Sequence, residues 1–264
     1  MNPMKATWRT ITFNIRRSEC LDGDNRWEMR SSHVVEWLNE QRPHIIGFQE
    51  VMPDAVRLLA EHMPGYEWAG CGRGEALDDE HCRIAWRADE FTAIRWETFW
   101  LSDTPCVPGS KFTKGNAYWP RTCTMAELYS KTTGRRLRVY NTHLDHECDY
   151  SRQAGVPVLC RHIAQQYQAD PLPFLLMGDF NATPDSDVVQ RVHQFSPVPL
   201  TDFSTTNGMP MNYTYHGYGL QEPCKIDYLL GSSEWTLEDK RFETWQRDGI
   251  YLSDHFPVIA DLSL

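Results

Sequence analysis

Pro173-Phe174-Leu175-Leu176-Met177-Gly178-Asp179-Phe180-Asn181 is the stretch from which the rest of the chain is read. Its apolar run, Pro173–Met177, is the length of a buried strand and stops at a glycine. An acid and an amide follow at once. A strand that ends this way sets polar side chains at the rim of a core, on a loop held by a rigid element.

The same punctuation recurs along the chain. Strand-like runs lie at Trp8–Asn14, His44–Gln49, Arg83–Arg87, Phe91–Leu101, Thr122–Tyr129, Leu137–Leu144, Ile226–Leu230 and Pro257–Leu262. Beside them stand Phe13-Asn14-Ile15, Gly47-Phe48-Gln49-Glu50, Asn141-Thr142-His143-Leu144-Asp145-His146, Ile226-Asp227-Tyr228 and Ser253-Asp254-His255. Helical patterns fill the gaps. Trp27–Gln41 presents Val34, Val35, Trp37 and Leu38, and Pro53–His62 opens on a proline suited to a first helical position. Gln153–Gln168 and Pro184–His193 complete the set, with Thr183 the expected N-cap of the last. Strands and helices alternate in no strict βαβ rhythm, and Cys82–Leu144 is rich in strands. That pattern predicts an α+β fold, two packed sheets with helices outside, in one domain over residues 1–264. Two loop-like stretches, Cys71–His81 and Ser102–Pro120, are expected to cover a binding face.

Charge narrows the function. With 26 Lys and Arg against 36 Asp and Glu, the net charge is −10. An affinity built on neutralising many phosphates needs a basic excess, so long nucleic acid is disfavoured as a partner. No apolar run resembles a secretory signal or a membrane span. The eight cysteines contain no CxxC pair, so free thiols in a reducing cytoplasm are expected.

The polar clusters supply four carboxylates (Glu50, Asp179, Asp227, Asp254), two histidines (His143, His255) and two amides (Asn14, Asn181). Carboxylates gathered in one cleft repel one another unless a divalent cation neutralises them. Hard oxygen donors select Mg²⁺ or Mn²⁺ over zinc. No HExxH or closely spaced His/Cys set supports a zinc site.

The ordered set from Asn14 to His255 resembles the endonuclease/exonuclease/phosphatase superfamily. It is similar in motif order to pancreatic deoxyribonuclease, apurinic endonucleases, inositol polyphosphate phosphatases and sphingomyelinases. Gly178-Asp179-Phe180-Asn181 and Ser253-Asp254-His255-Phe256-Pro257-Val258 carry the resemblance most specifically. Trp100-Leu101-Ser102-Asp103-Thr104-Pro105 and Pro120-Arg121 look like a bacterial subgroup of it. The resemblance implies a four-layer α/β sandwich, two mixed sheets flanked by helices, with the site where the sheets open. It implies Glu50 as principal metal ligand, helped by Asn14 and by Asp254 directly or through water. Asp179 would position or deprotonate the attacking water, and Asn181 would donate its amide. His255 would stand at the scissile phosphate with Asp227 fixing its tautomer, and His143 would touch the phosphate or the leaving oxygen. One position departs from nuclease relatives: Arg16 stands where they carry an acid.

Arg121, His146 and Trp119 are further substrate-binding candidates. A guanidinium fork suits a phosphate oxygen, and Trp27, Tyr118, Trp119, Tyr213 and Tyr215 are aromatics that could stack a sugar, base or headgroup. The expected activity is Mg²⁺-dependent hydrolysis of a small or exposed phosphoester. A nuclease of the same superfamily is the alternative, and a non-catalytic binding module is the rival of another class.

Overall fold

Side chains alternate across a strand, so one strand buried on both faces must feed two different cores. In the computed structural model, which describes residues 6–204 and 213–264, that is how the chain is used. The elements in order are β1 (Thr7–Asn14), α1 (Trp27–Gln41), β2 (Ile45–Val51), α2 (Pro53–His62), β3 (Tyr66–Ala69), β4 (His81–Arg87), β5 (Phe91–Trp100), β6 (Thr122–Ser130) and β7 (Arg136–His143). There follow α3 (Asp149–Ala169), β8 (Phe174–Asp179), α4 (Asp187–Phe195), β9 (Leu200–Asp202), β10 (Asp227–Ser232), β11 (Thr236–Phe242), the short pair β12 (Gln246–Arg247) and β13 (Ile250–Tyr251), and β14 (Val258–Ser263). Two six-stranded mixed sheets result, ordered β11-β14-β1-β2-β4-β3 and β5-β6-β7-β8-β10-β9.

Three apolar cores make four layers. Ile11, Phe13, Ile46 and Phe48 meet Val34, Trp37 and Leu38 of α1 and Leu59 of α2. Tyr140, Leu176 and Tyr228 meet Leu159 and Ile163 of α3 and Val189 of α4. Between the sheets lie Trp8, Ile45, Leu137, Val139, Leu175, Met177 and Leu229. The α+β sandwich expected from the sequence is therefore present.

The period-two parity also positions the site. Asn14 follows Trp8 by six residues, His143 follows Val139 by four, and Asp179 and Asp227 each lie two from an inter-sheet residue. All of them face the gap between the sheets, at its open end. Below them the sheets are fastened. Asn141 Nδ2 donates to Phe48 O and to Arg83 O, each at 2.8 Å, and its Oδ1 accepts from Gln49 Nε2 at 2.6 Å. The approach is close enough that a Cβ on Gly47 would stand 2.3 Å from Met177 Sδ.

Several boundaries differ from expectation. α3 starts at Asp149, four residues early, because Cys148 Sγ caps it by accepting from Ser151 N. Thr183 does not cap α4. Ser186 does, its Oγ accepting from Val189 N, while the Thr183 carbonyl closes the preceding turn. β3, β9, β11, β12 and β13 fall outside the expected strands. All eight cysteines are free thiols, and among the described residues no helix is long and apolar enough to cross a membrane.

Candidate active site

Ladder registry gathers the polar residues. β1 and β2 run parallel with Asn14 opposite Gln49, so Glu50 follows at the same level. β7 and β8 run parallel with His143 opposite Asp179, and antiparallel β10 sets Asp227 opposite Asp179. The turn before β14 adds Asp254 and His255. Gly178 permits the β7–β8 approach: at φ 144° it places its backbone where a Cβ would stand 1.9 Å from Thr142 O. Three of the site's non-glycine residues take left-handed backbone: Arg16 (φ 57°) and Asn181 (φ 47°) just past a strand, and Glu50 (φ 60°) within β2, where its register with β4 shifts between Phe48 and Val51.

Asn14 is the hub. Its Nδ2 lies 3.1 Å from Glu50 Oε1, 3.0 Å from Asp179 Oδ2 and 3.4 Å from His255 Nε2. Glu50 Oε2 accepts from Arg17 N at 3.0 Å, and Asp179 Oδ1 accepts from Asn181 N at 2.8 Å. Asp227 Oδ2 holds His255 Nδ1 at 2.9 Å, which leaves Nε2 facing Asp179 at 3.8 Å and Asp254 at 4.0 Å. Asn181 Nδ2 reaches His143 Nε2 and Leu144 O, each at 3.0 Å.

Electrostatics separate the groups. Burial and the neighbouring Asp227 carboxylate push Asp179 up to about 7. Burial alone would push the His255 imidazole down, yet Asp227, Asp254 and Asp179 carry it up to about 10. His143 goes the other way, held well below the usual range by burial and by the Arg121 guanidinium. Two similar rings thus differ in charge: His255 is an imidazolium and His143 is neutral.

The site fits a divalent cation. Four carboxylates converge here, and among the described residues Asp227 Oδ1 is buried without a hydrogen-bond partner. One amide nitrogen, Asn14 Nδ2, serves both the Glu50 and the Asp179 carboxylates. Asp179, Asp227 and His255 present donor atoms within 4.8 Å of one another, but the His255–Asp227 bond already uses that side. Glu50 and Asp254 carry oxygen atoms of the kind hard cations prefer, and the Asn14 Oδ1 accepts from Arg16 N at 3.0 Å.

A cavity of about 480 Å³ opens above this cluster. Its lining includes Glu50, His143, Asp179, Asn181, Asp254, His255 and the three substrate-binding candidates Trp119, Arg121 and His146. Arg121 is 3% exposed, so it is a wall residue and not an exposed strand leader. His146 Nδ1 contacts its Nη2 at 2.8 Å. Tyr215 lines the cavity and packs on the His255 ring at 4.9 Å. The other aromatics do not face it: Trp27 is buried against Arg30, Tyr213 packs on Phe256, and Tyr118 rests on Trp119 at the surface. Arg16 lines the cavity too, bound to Asp22 by two contacts of 3.1 Å and standing 3.5 Å from Asp254.

Both expected cover loops contribute, and one brings residues that sequence reasoning missed. Arg73 and Glu80 come from the Cys71–His81 stretch, where they read as ordinary loop charges. Glu80 Oε1 accepts from Arg73 Nη1 at 2.8 Å and stands 3.4 Å from His143 Nδ1.

Carboxylates, amides and a charged histidine at the open end of a four-layer sandwich define a hydrolase of phosphoester bonds. The model of the endonuclease/exonuclease/phosphatase family matches residues 11–255, and the chain belongs to that family, whose enzymes generally depend on divalent metals. An endonuclease/exonuclease/phosphatase from Bacteroides vulgatus is 27% identical, with a TM-score of 0.88 over 98% of this chain and 100% of its own. A mannosyl-6-phosphatase from Bacteroides thetaiotaomicron is 25% identical, with a TM-score of 0.84 over 97% of this chain and 99% of its own. The human Nocturnin catalytic domain shares the fold at 19% identity and a TM-score of 0.76, over 98% of this chain and 95% of its own. No curated protein matches the sequence.

Proposed function

We propose that the protein is a Mg²⁺-dependent phosphoesterase that hydrolyses a small phosphoester, with residues 1–264 acting as a single domain. The observation that carries this reading is the hub at Asn14, which joins an oxygen-donor side (Glu50) to a proton-handling side (Asp179, His255–Asp227) within hydrogen-bond reach. One relative is, by its name, a mannosyl-6-phosphatase, which supports a phosphoester of this kind. A Mg²⁺ or Mn²⁺ ion held by Glu50, Asn14 and Asp254 would neutralise phosphate charge and polarise the P–O bond.

The chain's own residues do the rest. Asp179, poised near neutrality, accepts a proton from the attacking water and aims it at phosphorus. The His255 imidazolium, fixed by Asp227, donates to a phosphoryl oxygen as charge builds. Asn181, whose amide nitrogen rests on His143 Nε2 and Leu144 O, would turn that donor to the same group, which a carboxylate there would repel. Neutral His143 sits beside the departing oxygen. Water adds to phosphorus as Asp179 takes its proton, the ester P–O bond breaks, and the leaving oxygen takes up a proton from solvent, so that ester and water become phosphate and alcohol. The eight thiols suit a reducing cytoplasm as the place of work.

Asp179→Asn and His255→Ala should each lower kcat at least about a hundredfold, measured on a panel of phosphoesters. After chelation, Mg²⁺ or Mn²⁺ and not Zn²⁺ should restore turnover. Polynucleotide cleavage exceeding that of small esters by orders of magnitude, and falling steeply with salt, would replace this reading with a nuclease. Unchanged turnover in both variants would remove the catalytic assignment.

A further inference from the structure

The cavity has a second wall, reached from Asp179 through His143 and built from Arg73, Glu80, Trp119 and Arg121. Hydrogen bonding on this wall is incomplete. Among the described residues Arg121 Nε and Nη1 and Arg73 Nε have no hydrogen-bond partner although both side chains are buried. The Arg121 guanidinium stands 3.9 Å from Glu80 Oε1 and 3.7 Å from Asp145 Oδ2, bonded to neither. Glu80 gives Oε1 to Arg73, while among the described residues its Oε2 has only Arg17 Nε at 3.9 Å. Trp119 is 37% exposed at the rim, its ring backed by the Arg73 guanidinium at 5.0 Å.

We propose that this wall binds the hydroxyl groups of the leaving alcohol, so that the substrate is the phosphate monoester of a sugar or similar polyol. The inference rests on the phosphoesterase reading above and adds the class of alcohol.

Charge and hydrogen bonding together favour a hydroxylated group over a second phosphate. Arg17, Arg73 and Arg121 stand against Glu80 and Asp145, an excess of one positive charge, less than a phosphate dianion needs. What the wall offers is N–H donors without a hydrogen-bond partner beside a carboxylate oxygen that has Arg17 Nε at 3.9 Å. A hydroxyl both donates and accepts, so vicinal hydroxyls satisfy such a mixed set where an anion would meet Glu80 head on. The exposed indole face provides an apolar platform for the C–H face of a ring. The volume suits a small-molecule substrate. Arg121 therefore reads as a hydroxyl donor, not as the phosphate clamp its fork geometry first implies.

The test compares hexose 6-phosphates with cyclohexyl phosphate, a six-membered ring without hydroxyls, and with adenosine monophosphate, using the Mg²⁺-loaded full chain. Sites built to bond a hydroxyl discriminate strongly against analogues lacking it, so at least one hexose 6-phosphate should exceed cyclohexyl phosphate in kcat/KM by at least about a hundredfold. Asp179→Asn protein should bind that hexose phosphate at least about tenfold tighter in calorimetry. Arg121→Met should reduce the ratio of the two kcat/KM values at least tenfold. Trp119→Ala, at the rim where folding is not at stake, should reduce it in the same direction. A purely structural role would lower both substrates alike and leave the ratio intact. Equal rates on the two ring esters, or adenosine monophosphate preferred over every hexose phosphate, would overturn the polyol assignment and leave the phosphoesterase reading standing. Inactivity on every ester would strike that reading instead, and the calorimetric preference would still decide the wall.

Discussion

Asn141 takes no part in hydrolysis, yet its amide joins the two sheets beneath the site, with Phe48 O, Arg83 O and Gln49 Nε2 as partners. Asn141→Leu keeps the volume and strips those bonds from a buried place. The expected loss is about 3 kcal/mol, seen as a lower urea midpoint; a loss below about 1 kcal/mol would mean the apolar core alone holds the sheets. His81 offers a second residue-scale measurement. Burial and the Arg83 guanidinium push its pKa down to about 4, and Arg83 Nε donates to its Nδ1 at 3.2 Å, which requires a neutral ring. The folded value lies below the unfolded one of about 6.5, so the unfolded chain takes up the proton first as pH falls. Stability should therefore drop by on the order of 2 kcal/mol between about pH 6.5 and pH 4, a loss absent from His81→Gln. At this scale the sequence revealed Asn14, Glu50, Asp179 and His255 because each closes or follows an apolar run. Arg73 and Glu80 escaped because nothing local distinguishes them; they matter only once a loop folds over His143.

Elements were legible where both faces of a strand are buried. β8 reads as continuous apolar sequence, and so did the runs that became β1, β2, β7, β10 and β14. The strands that escaped lie at sheet edges or outside the main sheets. β11, Thr-Leu-Glu-Asp-Lys-Arg-Phe, is paired only on its β14 side and carries charges that hide its alternation. Misplaced helix starts have a similar cause: Thr183 and Ser186 are both good caps three residues apart, and a cysteine is an unusual one. β14 lies between β11 and β1 and pairs with β1 from Thr12↔Val258 to Thr7↔Ser263. Deleting residues 255–264 removes that central strand together with His255. The shortened chain should lose activity and cooperative unfolding together, followed by circular dichroism on heating. A truncated chain that still turns over substrate would contradict a single site built from both ends of the chain.

For the whole molecule, the −10 charge now has a distribution. Arg16, Arg17, Arg73 and Arg121 line the cavity beside Glu50, Glu80, Asp179 and Asp254, so the interior is balanced and the excess acid lies elsewhere. A small phosphate can enter such a cavity, while a long polyanion outside it meets a molecule of net negative charge. The left-handed turns at Arg16, Glu50 and Asn181 extend this to stability. An L-residue held there costs on the order of 1 kcal/mol that glycine does not. At Glu50 that cost is offset, because Asn14 Nδ2 and Arg17 N both donate to its carboxylate. Glu50→Gly relieves the backbone but strands two donors, so it should melt lower than the parent by the equivalent of about 1 kcal/mol or more while losing its turnover; a melting temperature equal to the parent's or above it would show that the strain outweighs those bonds. Heat tolerance and catalytic power are then coupled at this position, and selecting variants for survival at high temperature would keep the carboxylate in place.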